Sequence, residues 1–189
     1  MPHDRQTDER TTDLALAAAR GDRQALEAWV RATQADVWRF LAHRASPALA
    51  DDLTQETYLR AFGSLSRFAG RSSSRTWLLS IARRVVVDQI RAASARPRVA
   101  DADWESAAEG KAARDRGTAG FEDMIELGAL LGTLDDDRRE ALVLTQFLGL
   151  SYAEAAEVTG CPIGTVRSRV SRAREDLLRA RDERDDTAI

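Results

Sequence analysis

The stretch SYAEAAEVTGCPIGTVRSRVSRAR, from Ser151 to Arg174, decides the fold. Ser151 followed three residues later by Glu154 is a capping-box pattern and opens a short helix through Val158. Thr159-Gly160-Cys161-Pro162 is a turn, and Gly160 supplies the positive φ such turns need. A last helix then runs from Ile163 to about Arg181. Ile163, Val166, Val170, Ala173 and Leu177 fall on one inward stripe, while Gly164, Ser168, Ser171 and Arg172 point away from it. Arg167 and Arg174 flank one side of the outward face and Arg169 the other. Two helices joined by a tight glycine-containing turn form a helix-turn-helix. The outward face suits a DNA major groove, because arginine forks a guanine edge and serine lets the helix come close. The flanking arginines suit phosphates.

Charge distribution extends this reading upstream. The formal net charge is −3, which does not by itself suggest nucleic acid. From Arg60 to Arg98, however, there are nine arginines and a single acid, Asp88. From Ile163 to Arg181 there are six arginines against Glu175 and Asp176. Two basic islands in an acidic chain point to two separate polyanion contacts. On charge alone, two solvated helix faces would account for the same pattern.

The rest of the chain reads as helices. It is 43% hydrophobic, with only four Pro and eleven Gly, so it can bury cores without breaking helices often. Residues 1–11 read as a polar, disordered tail. Helices are expected from Thr12 to Ala19, Asp22 to Arg44, Leu49 to Leu65 and Thr76 to Ala93. On the third, Tyr58, Ala61, Phe62 and Leu65 form the apolar stripe, and Asp52, Gln55, Glu56 and Leu59 the opposite face. Phe68 to Ser74 lies in a loop. Residues 94–120 have almost no large apolar side chains besides Trp104 and read as a flexible linker. A second domain, 121–181, opens with an amphipathic helix carrying Phe121, Met124, Ile125, Leu127, Leu130, Leu131 and Leu134. Asp137 and Glu140 read as the capping box of the next helix, which stops at Gly149. Residues 182–189 form a tail. The expected fold class is therefore all-α, two small helical domains, 12–93 and 121–181, on a flexible linker.

Three of these segments together resemble the extracytoplasmic-function sigma factors of the sigma-70 family. Leu150 to Ala156 and Gly164 to Arg174 look like their DNA-reading motif. Asp51 to Phe62 looks like their polymerase-binding helix, and Thr76 to Arg83 like their promoter-melting helix. The order and separations agree over roughly residues 12–180. The resemblance implies a bacterial transcription initiation factor with sigma-2 and sigma-4 domains. Sigma-2 would grip the clamp helices of core RNA polymerase through Asp52, Gln55 and Glu56. It would open the −10 element of promoter DNA through Phe68, Arg71, Ser72, Ser73, Trp77, Arg83, Arg84 and Arg91. Base capture there asks for an aromatic wall with polar donors and acceptors beside it. Sigma-4 would contact the polymerase flap and read the −35 element through Arg167, Ser168, Arg169, Ser171, Arg172 and Arg174. Some relatives carry an aromatic where this chain has Ser171. The acids of the linker, Asp101, Asp103, Glu105 and Glu109, would thread toward the polymerase active centre.

Other classes fit less well. A helix-turn-helix regulator that is not a polymerase subunit would need a ligand pocket or phosphoacceptor domain, and the N-terminal half has no α/β pattern for either. For an enzyme, Asp51, Asp52 and Glu56 suggest a helical metal site, but no histidine and no second Glu-x-x-His helix accompany them, and no acid/base constellation is present. No cofactor, metal site or catalytic residue is expected. Cys161 is the only cysteine, which fits a reducing cytoplasm. Neither a signal peptide nor a membrane-spanning run is visible. No inhibitor segment is fused to the chain, so an anti-sigma factor is expected only as a separate partner.

Overall fold

The computed structural model describes residues 5–95 and 131–187. Most of the expected 94–120 linker, with its four acids, and the helix expected from Phe121 as far as Leu130 lie outside the described residues. Within them every regular element is a helix: α1 (Arg5–Ala19), α2 (Arg23–Arg44), α3 (Pro47–Leu65), α4 (Ser74–Ala95), α5 (Asp136–Leu142), a π-helical turn (Val143–Phe147), α6 (Tyr152–Thr159) and α7 (Ile163–Thr187).

The first helix begins earlier than its composition suggests, at Arg5 rather than Thr12. Thr11 is buried and Ala15 fully so, which fixes the second and third turns against the bundle. The polar residues before them continue the helix. Asp22 caps α2 by accepting from the Ala25 amide at 3.0 Å. Pro47 starts α3 at a position where a missing N–H costs nothing. Trp29 is the centre of this bundle. It is fully buried, its indole N–H donates to Ser74 Oγ at 3.1 Å, and its ring meets Tyr58 edge-on at 6.0 Å. Thr33 and Tyr58 share a hydroxyl–hydroxyl hydrogen bond of 2.7 Å. Burial pushes the Tyr58 phenol up to about 12, which keeps it a neutral hydrogen-bonding group.

The second half is built around the helix-turn-helix. Ser151 and Glu154 make both halves of the expected capping box. Gly160 ends α6 at φ +70° and directs its N–H back to Ala156 O at 2.8 Å. A Cβ there would meet nothing within 4 Å, so only the backbone conformation resists a side chain. Gly160→Ala should therefore cost roughly 1–2 kcal/mol, measured as a shift in urea midpoint without a change in slope.

Three local expectations are corrected. Asp135, not Asp137, caps α5, accepting from the Arg138 amide at 2.9 Å. Glu140 is therefore free of capping duty and points elsewhere. The helix before Gly149 ends in a π turn, with Leu148 N–H reaching Val143 O at 3.0 Å. Ile163 is 42% exposed, so the inward stripe of α7 is Val166, Val170 and Ala173, with Leu177 half-buried.

The halves pack against each other, α2 on α5 and α4 on α6. Polar groups line this seam. Glu140, whose side chain is 0% exposed, accepts from Arg83 Nε at 3.0 and 3.1 Å. Arg44 adds an ion pair to Glu140 at 3.4 Å, without hydrogen-bond alignment, and another to Asp136 at 3.2 Å. Arg75 pairs with Asp36 at 2.6 Å and donates across the seam to the Leu148 carbonyl. The His43 and Phe147 rings lie 5.7 Å apart.

Candidate nucleic-acid and partner interfaces

The outward side of α3 carries Asp52 and Gln55, both exposed, and the half-buried Glu56. Glu56 is not an open carboxylate. It accepts from Arg60 Nε at 2.7 Å, and Arg60 also reaches Asp88 of α4 at 2.5 Å. The same side exposes Leu59 at 65% and Phe62 at 44%. Phe62 was expected in the core stripe. Instead it covers the rim, its ring 5.8 Å from that of Tyr58. Acids beside exposed apolar groups favour a protein partner over DNA, because the acids repel phosphate and the apolar groups gain by burial.

The loop before α4 turns at Gly70, φ +66°. Ser73 Oγ accepts from the Thr76 amide at 3.1 Å and so caps the helix start. Ser74 N–H donates to Thr12 Oγ1 at 3.0 Å, which ties the loop to α1. Arg71 is exposed and Ser72 half-buried. Phe68 does not present an open aromatic wall: it is 8% exposed, with its ring 4.9 Å from Trp77. Trp77 is half-buried and also touches Trp29, at 6.2 Å between rings. Trp77 is thus the edge of an aromatic column running into the core, and Phe68 is packed beneath it. Further along α4, Arg84 and Arg91 are exposed, while Arg83 turns the other way into the seam with Glu140. The sequence groups these three arginines, but one helix face separates them.

On α7, Val166, Val170 and Ala173 are buried, and Arg167, Ser168, Ser171, Arg172 and Arg174 are exposed. Their environments differ. Arg167 lies over the Tyr152 ring, its guanidinium carbon 5.8 Å from the centroid. Arg169 is ion-paired with Asp137 of α5 and lies 3.6 Å from Cys161 Sγ. Arg174 donates to Gln146 Oε1 at 2.7 Å, and Ser171 to Glu175 at 3.1 Å. Sequence reasoning missed Tyr152 and Asp137. Both sit on other helices, so no spacing along α7 reveals them.

Comparison with known proteins covers the same two halves. Residues 29–96 match the model of sigma-70 region 2, and residues 124–177 match that of sigma-70 region 4. The chain is 56% identical over 172 residues to the ECF RNA polymerase sigma factor SigC of Mycobacterium tuberculosis, covering 90% of this chain and 91% of that one. Among solved structures it is similar to CnrH in complex with the cytosolic domain of CnrY. That match has a TM-score of 0.71 at 26% identity and covers 92% of this chain and 98% of that one. It is also similar to the sigma factor RpoE of Bartonella quintana, solved with the anti-sigma factor NepR. There the TM-score is 0.67 at 29% identity, over 80% of this chain and 93% of that one. No described helix is long and apolar enough to cross a membrane.

Proposed function

The chain belongs to the extracytoplasmic-function sigma factors of the sigma-70 family, initiation factors of transcription by RNA polymerase, and from this premise we propose which of its surfaces does what. The outward side of α3, with Asp52, Gln55 and Glu56 beside the exposed Leu59 and Phe62, meets the clamp helices of core polymerase. That surface is the observation that carries the reading, because acids beside exposed apolar side chains favour a protein partner over DNA. Arg71, Ser72, Ser73, Arg84 and Arg91 hold the −10 strand, with Trp77 at the edge of the melted segment. Arg83 joins them only once it leaves Glu140. The outward side of α7 reads the −35 element, and the second half contacts the flap. The chain supplies no covalent step: it works by holding polymerase and promoter together and by stabilising opened DNA.

A separate anti-sigma protein is the regulatory partner this reading adds, in line with the partner of the Bartonella quintana neighbour. The site of action is the cytoplasm, where core polymerase and promoters are.

The test is run-off transcription with purified core polymerase. The wild-type chain should direct specific transcripts that core alone does not make. A charge reversal at Asp52, Asp52→Lys, should lower core affinity about tenfold, since a like charge at an interface costs more than a kcal/mol. Binding of the isolated chain to promoter DNA should be unchanged. A chain that binds no core polymerase at any concentration would instead be a free-standing helix-turn-helix regulator.

A further inference from the structure

We propose that Tyr152 is a positioning residue for promoter selectivity, holding Arg167 in its reading geometry, and that Arg169 is a brace of the domain and not a reader. This rests on the reading of α7 as the −35 element's reader.

The arginines of α7 look alike in sequence but not in their surroundings. Arg169 spends its guanidinium on Asp137 of α5 and lies against Cys161 of the turn, with its side chain only 24% exposed. It ties α5, the turn and α7 together. A guanidinium engaged in this way has lost donors and net charge that a base or phosphate would need. Arg174 is tethered to Gln146. Arg172 is exposed and has no ion-pair partner among the described residues.

Arg167 is held differently. Its guanidinium carbon lies over the Tyr152 ring, 5.8 Å from the centroid, a cation–π contact that needs no hydrogen-bond acceptor. Arg167 is exposed and has no ion-pair partner among the described residues, so its donors can turn toward a base edge. Tyr152 is itself fixed. It is the first residue of α6, directly after the Ser151 cap, and the capping box with Glu154 sets its backbone. The ring is half-buried and packs on the core. A long arginine on a solvent face ordinarily loses rotamer freedom when it binds; a ring that already restrains it lowers that cost. Tyr152 thus presets the fork that meets a base edge.

The experiment selects promoters from a library randomised through the −35 element, using full-length chain with core polymerase. The Arg167→Ala variant should flatten the preference at one position, by about fivefold to a hundredfold if it forks a base. Tyr152→Leu keeps apolar bulk but has no ring face. It should weaken the preference at that same position by roughly twofold to fivefold, the scale of an exposed cation–π contact. Tyr152→Phe retains the ring face and should restore the wild-type preference. Arg169→Ala should leave the preference at every position intact while lowering the melting temperature. The proposal is overturned if Tyr152→Leu leaves the Arg167 position unchanged, if Tyr152→Phe behaves like Tyr152→Leu, or if Arg169→Ala flattens a position of its own. A wild-type chain that binds core yet enriches no −35 sequence would overturn the underlying assignment of α7 as well.

Discussion

Replacing Asp36 by Ala should destabilise the first helical half by about 3–5 kcal/mol, the usual cost of breaking a buried ion pair from one side. The Asp36 and Arg75 side chains are 7% and 4% exposed, and they meet at 2.6 Å. Arg39 approaches the same carboxylate from the surface at 3.4 Å and cannot replace it for Arg75. With Asp36 gone, the Arg75 guanidinium stays buried with the Leu148 carbonyl as its remaining described acceptor. One carbonyl dipole does not balance a desolvated unit charge. Replacing both partners by apolar residues, Asp36→Leu with Arg75→Met, should recover most of the loss, because no charge is then stranded. Urea unfolding followed by tryptophan fluorescence measures this, since Trp29, Trp38 and Trp77 all lie in the first half. A loss below about 1 kcal/mol for Asp36→Ala would mean that water reaches Arg75 and that the pair is not a buried one.

The same pair marks the limit of what the sequence discloses. Local signals are legible because a few neighbouring residues determine them. The Ser151–Glu154 capping box, the left-handed Gly160 and the buried Val166–Val170–Ala173 stripe all depend on chemistry within one or two turns. Asp137 and Glu140 have the same spacing as Ser151 and Glu154, yet they form no box. Asp135 occupies the cap, and Glu140 is drawn inward by Arg83 and Arg44, which stand far earlier in the chain. Nothing within α5 records that. Phe62 follows Tyr58 by four residues and shares its stripe, but the stripe is wider than the core it faces, so Phe62 is left at the rim. The candidate surfaces show the same division. Which residues of α7 face outward follows from helix geometry, whereas which of them are free to bind depends on Tyr152, Asp137 and Gln146 from other helices.

Glu140→Ala should open the seam between the halves, shifting the closed–open balance by more than tenfold. Glu140 is the only described carboxylate that meets two arginines of the other half, through Arg83 Nε at 3.0 Å and Arg44 Nε at 3.4 Å. Arg44 is 10% exposed and Arg83 27%, so Arg83 regains water when its partner is removed, while Arg44 retains Asp136 at 3.2 Å. The lost charged hydrogen bond to Arg83 gives about 1.5–3 kcal/mol, because Arg44 keeps its ion pair with Asp136. Glu140→Gln keeps an acceptor for Arg83 without the charge and should fall between the two. The radius of gyration from small-angle scattering reads the result directly: larger for Glu140→Ala, and unchanged if packing alone holds the halves. Acid should act in the same direction. Burial, and after it the Arg139 guanidinium, hold the His43 imidazole below its ordinary value of 6.5, in a seam also lined by Arg44 and Glu140. An opened form therefore binds a proton more readily than the closed one, and closure weakens as pH falls below about 6.5. His43→Gln should remove that part of the pH dependence while leaving the effect of Glu140→Ala intact. Opening also releases the Arg83 guanidinium. Arg83→Ala should then lower the affinity for single-stranded −10 DNA in the Glu140→Ala background and leave it nearly unchanged in the closed wild-type chain, where Glu140 already holds that fork.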